Sequence, residues 1–496
     1  MFQGRFTLKE YGHGMNNDRL VLTCARGLSL TLALACAAPA GAQLRSGVLP
    51  GVGGGLPGGL GLGRIDPGHA NLASPRLPRT PMLPVRPPQV LDPAGNLVAA
   101  PLTEIRRLVA ERLLREHPDL LEGGDDGQPV VRGDILAIGV SGETLSRLRK
   151  AGFDLRSRSE LEDLGIQGVV LGAPRGLSAV EALRRARALD PGGQYDLDPI
   201  YLEAGGAGRI SLEAGGAGRT SLEAGGVEGV AGWPRTSPVR DLRGVRIGLV
   251  DGSAAESEPA LARATLVQRP FAPGGAQLSA HATAVASLIV GSGRNFRGAA
   301  AGATLYVADV YGATAAGGSA EAVARGLAWL VRSKTPVINI SLVGPPNLLL
   351  EAAVRSVMAK GGLVVAAVGN DGPAAPPLYP AAYPGVIAVT GVDSRGHVLP
   401  EAGRGTHVDF AAPGSDMAAA GIGGGYVSVR GTSFAAPIVA GRLAALRSTE
   451  TVAQAVDALA RGAAHLGGPG LDPAYGHGLV GAELRTDPAV VRPPHR

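Results

Sequence analysis

Thiols are nearly missing from this chain: cysteine occurs twice in 496 residues, as Cys24 and Cys36. Both lie in a segment whose pattern marks it for removal. The remaining chain then has neither thiol nor disulfide, which excludes a disulfide scaffold and leaves stability to core size. Lysine is almost as scarce, with only Lys9, Lys150, Lys334 and Lys360. Arginine therefore carries the formal net charge of +5, yet no run of five basic residues occurs. Aromatics make up 4% and do not interleave with the basic residues, which argues against nucleic acid as a partner. After the first 42 residues no stretch reaches the ~18 apolar residues needed to span a bilayer, which excludes a membrane span in the remainder.

Glycine (76) and proline (38), by contrast, are abundant and unevenly spread, while hydrophobic residues reach 45%. That combination describes unstructured stretches beside folded domains. Residues 1–42 read as a signal peptide with an upstream extension. Met15 opens a short charged region, Leu28 to Ala38 is apolar, and Ala40-Gly41-Ala42 supplies a cleavage site before Gln43. The expected location is secreted or periplasmic. Residues 43–101 are rich in Gly and Pro and read as a disordered arm.

Residues 102–200 change character. Helical spacing over Leu102–Glu116, a strand over Asp134–Val140, a helix over Glu143–Ala151, a strand over Gly168–Leu171 and a Ser-capped helix over Ser178–Leu189 predict a small α+β domain. An extended tail over Tyr195–Tyr201 follows. Residues 201–240 form a linker opening on a ten-residue repeat: YLEAGGAGRI, SLEAGGAGRT, SLEAGGVEGV. Three short Gly-rich copies are too few for a solenoid and predict a protease-accessible connection. Over 241–485 strand and helix patterns alternate, which predicts a doubly wound, mostly parallel α/β sheet. Residues 486–496 read as a tail.

Within 241–485 four residues stand at strand ends or helix starts. Asp251 closes RIGLVD, His281 opens HATAVASLIVG, Asn370 follows the apolar run LVVAAVG, and Ser433 lies in GTSFAAPIVAG. Such ends are where sites form in α/β sheets. Pro437 fits an early helical position, where backbone N–H groups lack acceptors. The surroundings of Ser433 are not G-x-S-x-G, which speaks against an esterase or lipase of another α/β fold.

Taken together the blocks IGLVDGS, HATAVAS, NISL, AAVGNDGP, YPAAYPGVIAVTGVD, VDFAAPG, GTSFAAPIVAG and YGHGLV resemble the subtilisin-like serine proteases, the subtilases, in that family's order. The resemblance implies a secreted serine endopeptidase with a triad of Asp251, His281 and Ser433, and with Asn370 as an oxyanion donor. It implies substrate-binding roles for Ser341, Leu342, Val343 and Gly344, which would pair with an extended peptide, with Val343 narrowing the cleft. Leu378 would shorten the pocket for the residue before the cut, and Asp371 would lie near its rim. It further implies an inhibited precursor in which 102–200 is a propeptide-like intramolecular inhibitor, with self-cleavage within 199–240. The expected partners are polypeptide substrates, and the expected state is a monomer without cofactor. Some subtilases bind Ca²⁺, but no acidic loop here suggests a site. Two departures from the family, Gly252-Ser253 after the aspartate and Ala282 after the histidine, fit the alternative of a degenerate subtilase acting as a binding protein.

Overall fold

The computed structural model describes residues 89–91, 97–99, 102–158, 161–204 and 242–491. The signal peptide over 1–42, most of the arm over 43–101, residues 205–240 of the linker and the last five residues of the tail lie outside the described residues. Among the described residues no helix is long and apolar enough to cross a membrane.

One part of the arm departs from expectation. β1 (Gln89–Leu91) pairs antiparallel with β2 (Leu97–Ala99). The intervening Asp-Pro-Ala-Gly-Asn is turn chemistry, and aliphatic residues flank it, so a local hairpin outcompetes the Gly/Pro composition that predicted disorder.

Between Leu102 and Pro199 the α+β domain forms. α1 (Leu102–Glu116) precedes β3 (Leu121–Gly123), β4 (Pro129–Ile138), α2 (Gly142–Lys150), β5 (Asp154–Arg158), β6 (Gly168–Gly172), α3 (Ala179–Leu189) and β7 (Gln194–Pro199). The sheet is antiparallel, with β4 pairing β3, β6 and β7, and β5 pairing β6. The strand period of two decides its packing. Ile135, Ala137, Val169 and Leu171 face α2 and α3, while Leu136 and Val170 join a second apolar cluster that continues into the following domain. The extended tail expected over Tyr195–Tyr201 starts later than predicted. Tyr195 to Pro199 are part of β7, because Tyr195 is needed inside the domain's own core.

The apolar runs after residue 241 form a seven-stranded sheet in which every pairing is parallel. Its order is β10 (Thr265–Pro270), β11 (Thr304–Asp309), β9 (Arg246–Asp251), β12 (Val337–Ile340), β14 (Leu363–Ala367), β15 (Ile387–Val392) and β16 (Val408–Pro413). Both faces are buried. Ile247, Leu249, Leu305, Val307, Val365 and Ala367 face α4 (Ala280–Val290) and α7 (Thr432–Arg447), and α8 (Val452–Gly462) adds Ala455 and Leu459 to that side. Val250, Ala308, Val364 and Ala366 face α5 (Ala320–Arg332) and α6 (Leu348–Ala359). The side carrying α5 and α6 is also where the α+β domain docks. Outside the sheet lie β13 (Leu342–Val343) and the hairpin of β17 (Met417–Ala420) and β18 (Tyr426–Val429). The predicted tail is tied in at its start, since Thr486 O accepts from Ala418 N at 2.8 Å.

Candidate active site

β9 delivers Asp251 to the carboxyl edge of the sheet, where its side chain is 1% exposed. α4 starts at the same edge. Its N-cap Ser279 accepts from Ala282 N, and His281 lies in the first turn. The imidazole Nδ1 stands 2.9 Å from Asp251 Oδ2 and 3.1 Å from Oδ1, with both side chains buried. A donating Nδ1–H there leaves Nε2 as the nitrogen able to accept a proton.

The two departures at this pair have local reasons. A Cβ on Gly252 would stand 2.7 Å from the Cβ of Ser279, so the helix cap occupies the space a side chain would need. Ala282 is itself completely buried beneath that cap. Ser253 donates to Asp309 Oδ2 at 2.7 Å. Asp309, also buried, further accepts from the backbone of Gln277, Tyr311 and Gly312, and so ties the Asp251 loop to the segment leading into α4.

α7 carries Ser433 at its second position. The preceding Gly431 has φ 138°, a conformation that favours glycine, and a Cβ there would lie 3.2 Å from Asn370 Nδ2 and 3.6 Å from Ser433 Oγ. Serine and asparagine therefore converge on one point. The His281 ring is 5.3 Å from that of Phe434, beside the serine. Ser433 Oγ and His281 Nε2 are buried, and neither makes a hydrogen bond among the described residues. Pro437 sits deeper than the first turn, which corrects the reason expected for its tolerance. Its missing N–H leaves the Ser433 carbonyl without a helical donor, and the Ser341 hydroxyl takes that place at 2.9 Å. Ser341 is held in turn by Asn339 Nδ2 at 2.8 Å.

The cleft is occupied by the chain itself. β8 (Leu202–Glu203) pairs antiparallel with β13, Leu202 opposite Val343 and Glu203 opposite Leu342. Ala204 N donates to Ser341 O at 3.0 Å. The Ala204 carbonyl accepts from Asn370 Nδ2, while Asn370 Oδ1 accepts from Thr432 N at 3.1 Å and so fixes which end of the amide faces Ala204. Tyr201 is fully buried. Its N donates to Gly318 O at 2.7 Å, its hydroxyl donates to Pro345 O at 2.6 Å, and its ring fills the space a side chain on Gly344 would need. Residues 201–204 thus belong to the cleft, although composition placed them in the linker.

Val343 and Ala204 are buried in one apolar cluster, against which Leu378 packs. Leu378 Cδ1 closes over the backbone of Gly369, the neighbour of Asn370. Asp371 is not open: Arg106 of α1 forms an ion pair with it, the two side chains being 8% and 14% exposed. Sequence reading missed Arg106, Asp309 and Thr432, whose contacts across the fold leave no local pattern, and also Ser279, whose place before an apolar helix was a local capping signal. It had Tyr201 as the last residue of an extended tail able to enter the cleft but did not single it out, although the repeat has Ser at the corresponding position of its other two copies.

Charge in the cleft is concentrated at His281. One oxygen each from Glu203 and Asp251 and a ring nitrogen of His281 lie within 4.8 Å of one another. Burial opposes charging of the imidazole. The carboxylates of Asp251 and Glu203, with the hydrogen bond to Asp251, outweigh it and raise His281 to about 9.

The model of the Subtilase family matches residues 244–478. The chain is 34% identical over 249 residues to Subtilisin Savinase of Lederbergia lenta, covering 49% of this chain and 91% of that protein. It is equally identical over 249 residues to the Alkaline protease of Shouchella clausii, of which it spans 64%. Among solved structures, fervidolysin from Fervidobacterium pennivorans, a keratinolytic enzyme related to subtilisin, shares the fold with a TM-score of 0.58 at 21% identity, over 73% of this chain and 62% of that one.

Proposed function

The chain belongs to the subtilase family of serine endopeptidases, and from that premise we propose that it is the inhibited precursor of an exported peptidase whose domain over 102–204 blocks its own cleft. Ser433 is the nucleophile, His281 takes and returns its proton, Asp251 orients the imidazole, and Asn370 with the Ser433 N–H holds the oxyanion. The observation that carries this reading is the Ala204 carbonyl on the Asn370 amide, with β8 laid along β13. That is how an extended peptide presents the carbonyl of its scissile bond. The bond is Ala204–Gly205, inside the interval expected for self-cleavage.

The pocket for the residue before the cut suits small side chains, supported by Ala204 as its occupant and by Leu378 and Val343 around it. Arg106 neutralises Asp371 while the domain is docked, so release of the domain frees a carboxylate at the rim. No cofactor is needed, since every step is carried by side chains of this chain. Substrates are polypeptides, and the enzyme acts as a monomer in the periplasm or outside the cell after removal of residues 1–42. The departures at Gly252 and Ala282 leave the His281–Asp251 pair in hydrogen-bonding contact, which favours an enzyme over a binding protein.

The test is intact mass and casein hydrolysis for the wild type beside Ser433→Ala. The expected wild type is shortened by cleavage after Ala204 and hydrolyses casein, while the variant stays long and inert. A variant shortened at the same bond would remove self-cleavage from the reading.

A further inference from the structure

The tetrapeptide in the cleft, Tyr201-Leu202-Glu203-Ala204, is followed by Gly205-Gly206, and the linker repeats this unit. Leu212-Glu213-Ala214-Gly215-Gly216 and Leu222-Glu223-Ala224-Gly225-Gly226 match it residue for residue at spacings of ten. Each contact that fixes the seated segment near the scissile bond is therefore available to all three copies. Leucine and glutamate lie along β13, alanine donates its N–H to Ser341 O, and the alanine carbonyl accepts from Asn370. The copies differ at one seated position, which is Tyr201 in the first and Ser211 and Ser221 in the others. Tyr201 makes the largest contact of the seated segment, being fully buried against Gly344 with its hydroxyl on Pro345 O. Serine can fill neither the space nor the hydrogen bond.

We propose that the linker is a threefold substrate of its own enzyme. The bonds Ala204–Gly205, Ala214–Gly215 and Ala224–Gly225 are all cleaved, and Tyr201, together with the docked domain that precedes it, makes the first copy the one that stays bound. This rests on the reading of residues 201–204 as the segment before the scissile bond. At each site Ser433 Oγ adds to the alanine carbonyl carbon and passes its proton to His281. The C–N bond then breaks, and the glycine nitrogen leaves with that proton. Water hydrolyses the resulting ester to an alanine carboxylate and restores the serine. A bound product with tyrosine as the fourth residue counted back from the cut leaves slowly and inhibits, whereas one with serine there leaves quickly and is only a substrate.

The purified full-length chain is incubated until its mass is constant, and its N-termini and small peptides are identified by mass spectrometry. The expected products are a catalytic fragment beginning at Gly225 and two decapeptides, Gly205–Ala214 and Gly215–Ala224. In parallel, the synthetic product peptides YLEA and SLEA are titrated as inhibitors of the processed enzyme, a comparison that does not depend on any variant folding. YLEA is expected to bind about tenfold or more tightly, the scale for losing a buried aromatic anchor. A stable N-terminus at Gly205 with residues 205–241 intact, while casein is still hydrolysed, would overturn the threefold proposal and leave the protease reading standing. Cleavage at none of the three bonds would remove both. Equal inhibition by the two peptides would overturn the role given to Tyr201.

Discussion

Glu203 brings a second carboxylate to an imidazole that already has Asp251 on one side. While residues 201–204 are seated, His281 stays charged up to about 9, and a charged imidazole cannot accept the serine proton. The first cut is therefore expected to be slow at neutral pH and to accelerate as pH rises toward 9. Glu203→Gln removes one of the groups that raise His281, so the acceleration should begin at lower pH, as read from the rate of precursor shortening across pH. An unmoved profile would mean that Glu203 does not govern the base. The sign for docking follows from the same residue. Of the groups that raise His281, only Glu203 arrives with docking, so its share favours docking at low pH and is lost as pH climbs through about 9. Gly252 is a second residue with a definite expectation. Substituting Gly252→Ser puts a Cβ against that of Ser279, two atoms fixed to backbone, so it should destabilise by about 1–3 kcal/mol. Thermal melting in the Ser433→Ala background measures this, and a rise in melting temperature would contradict it.

Helix N-termini fasten the α+β domain to the rest of the chain. Asp196 accepts from Leu348 N and Asn347 Nδ2 at the start of α6, and Asp198 accepts from Glu321 N at the start of α5. Burial, with Glu321 nearby, lifts Asp198 to about 7 against these hydrogen bonds. Its carboxyl thus takes up a proton on docking whenever pH lies between its ordinary 3.8 and about 7. A raised carboxyl makes docking weaker as pH rises through that window. Asp198→Asn keeps an acceptor and removes the titration. Dissociation of the cleaved domain, followed by size-exclusion chromatography, should then depend less steeply on pH between about 4 and 7, the remainder coming from Asp196, which burial also raises, and an unchanged slope would assign the dependence elsewhere. At this scale the sequence was unevenly legible. Runs such as Val245–Val250 and Leu363–Val368 announce strands because both sheet faces are buried. β5, with the sequence DLRSR, and β10, with TLVQRP, are edge strands whose exposed sides carry polar residues and break the apolar signal. α8 was missed although Thr451 and Gln454 form a capping box before it.

Across the whole molecule, one apolar cluster lies on the sheet's α4–α7 side and takes only Ala204 from before the linker among its buried residues, while the other is shared between α5, α6 and residues such as Leu136, Leu164, Val170 and Tyr201 from before the linker. The motif blocks around Asp251, His281, Asn370 and Ser433 were readable because the chemistry confines these residues to strand ends and helix starts. The shared cluster was not, because which surface a domain docks against depends on residues far apart in sequence. Arg106 shows the same limit, since only the fold reveals its partner 265 positions away. The occupied cleft also has a consequence for how such a chain evolves. Everything that β13 and Asn370 grip on the acyl side of the bond fits within four residues of a ten-residue unit, and the tandem units end before Leu242, where the described catalytic domain begins. Slippage during copying can thus add or delete one unit, and with it one processing site, without changing a residue of either folded domain. A single codon, tyrosine or serine at the head of a unit, then sets how tightly the cleft holds that unit once it is cut.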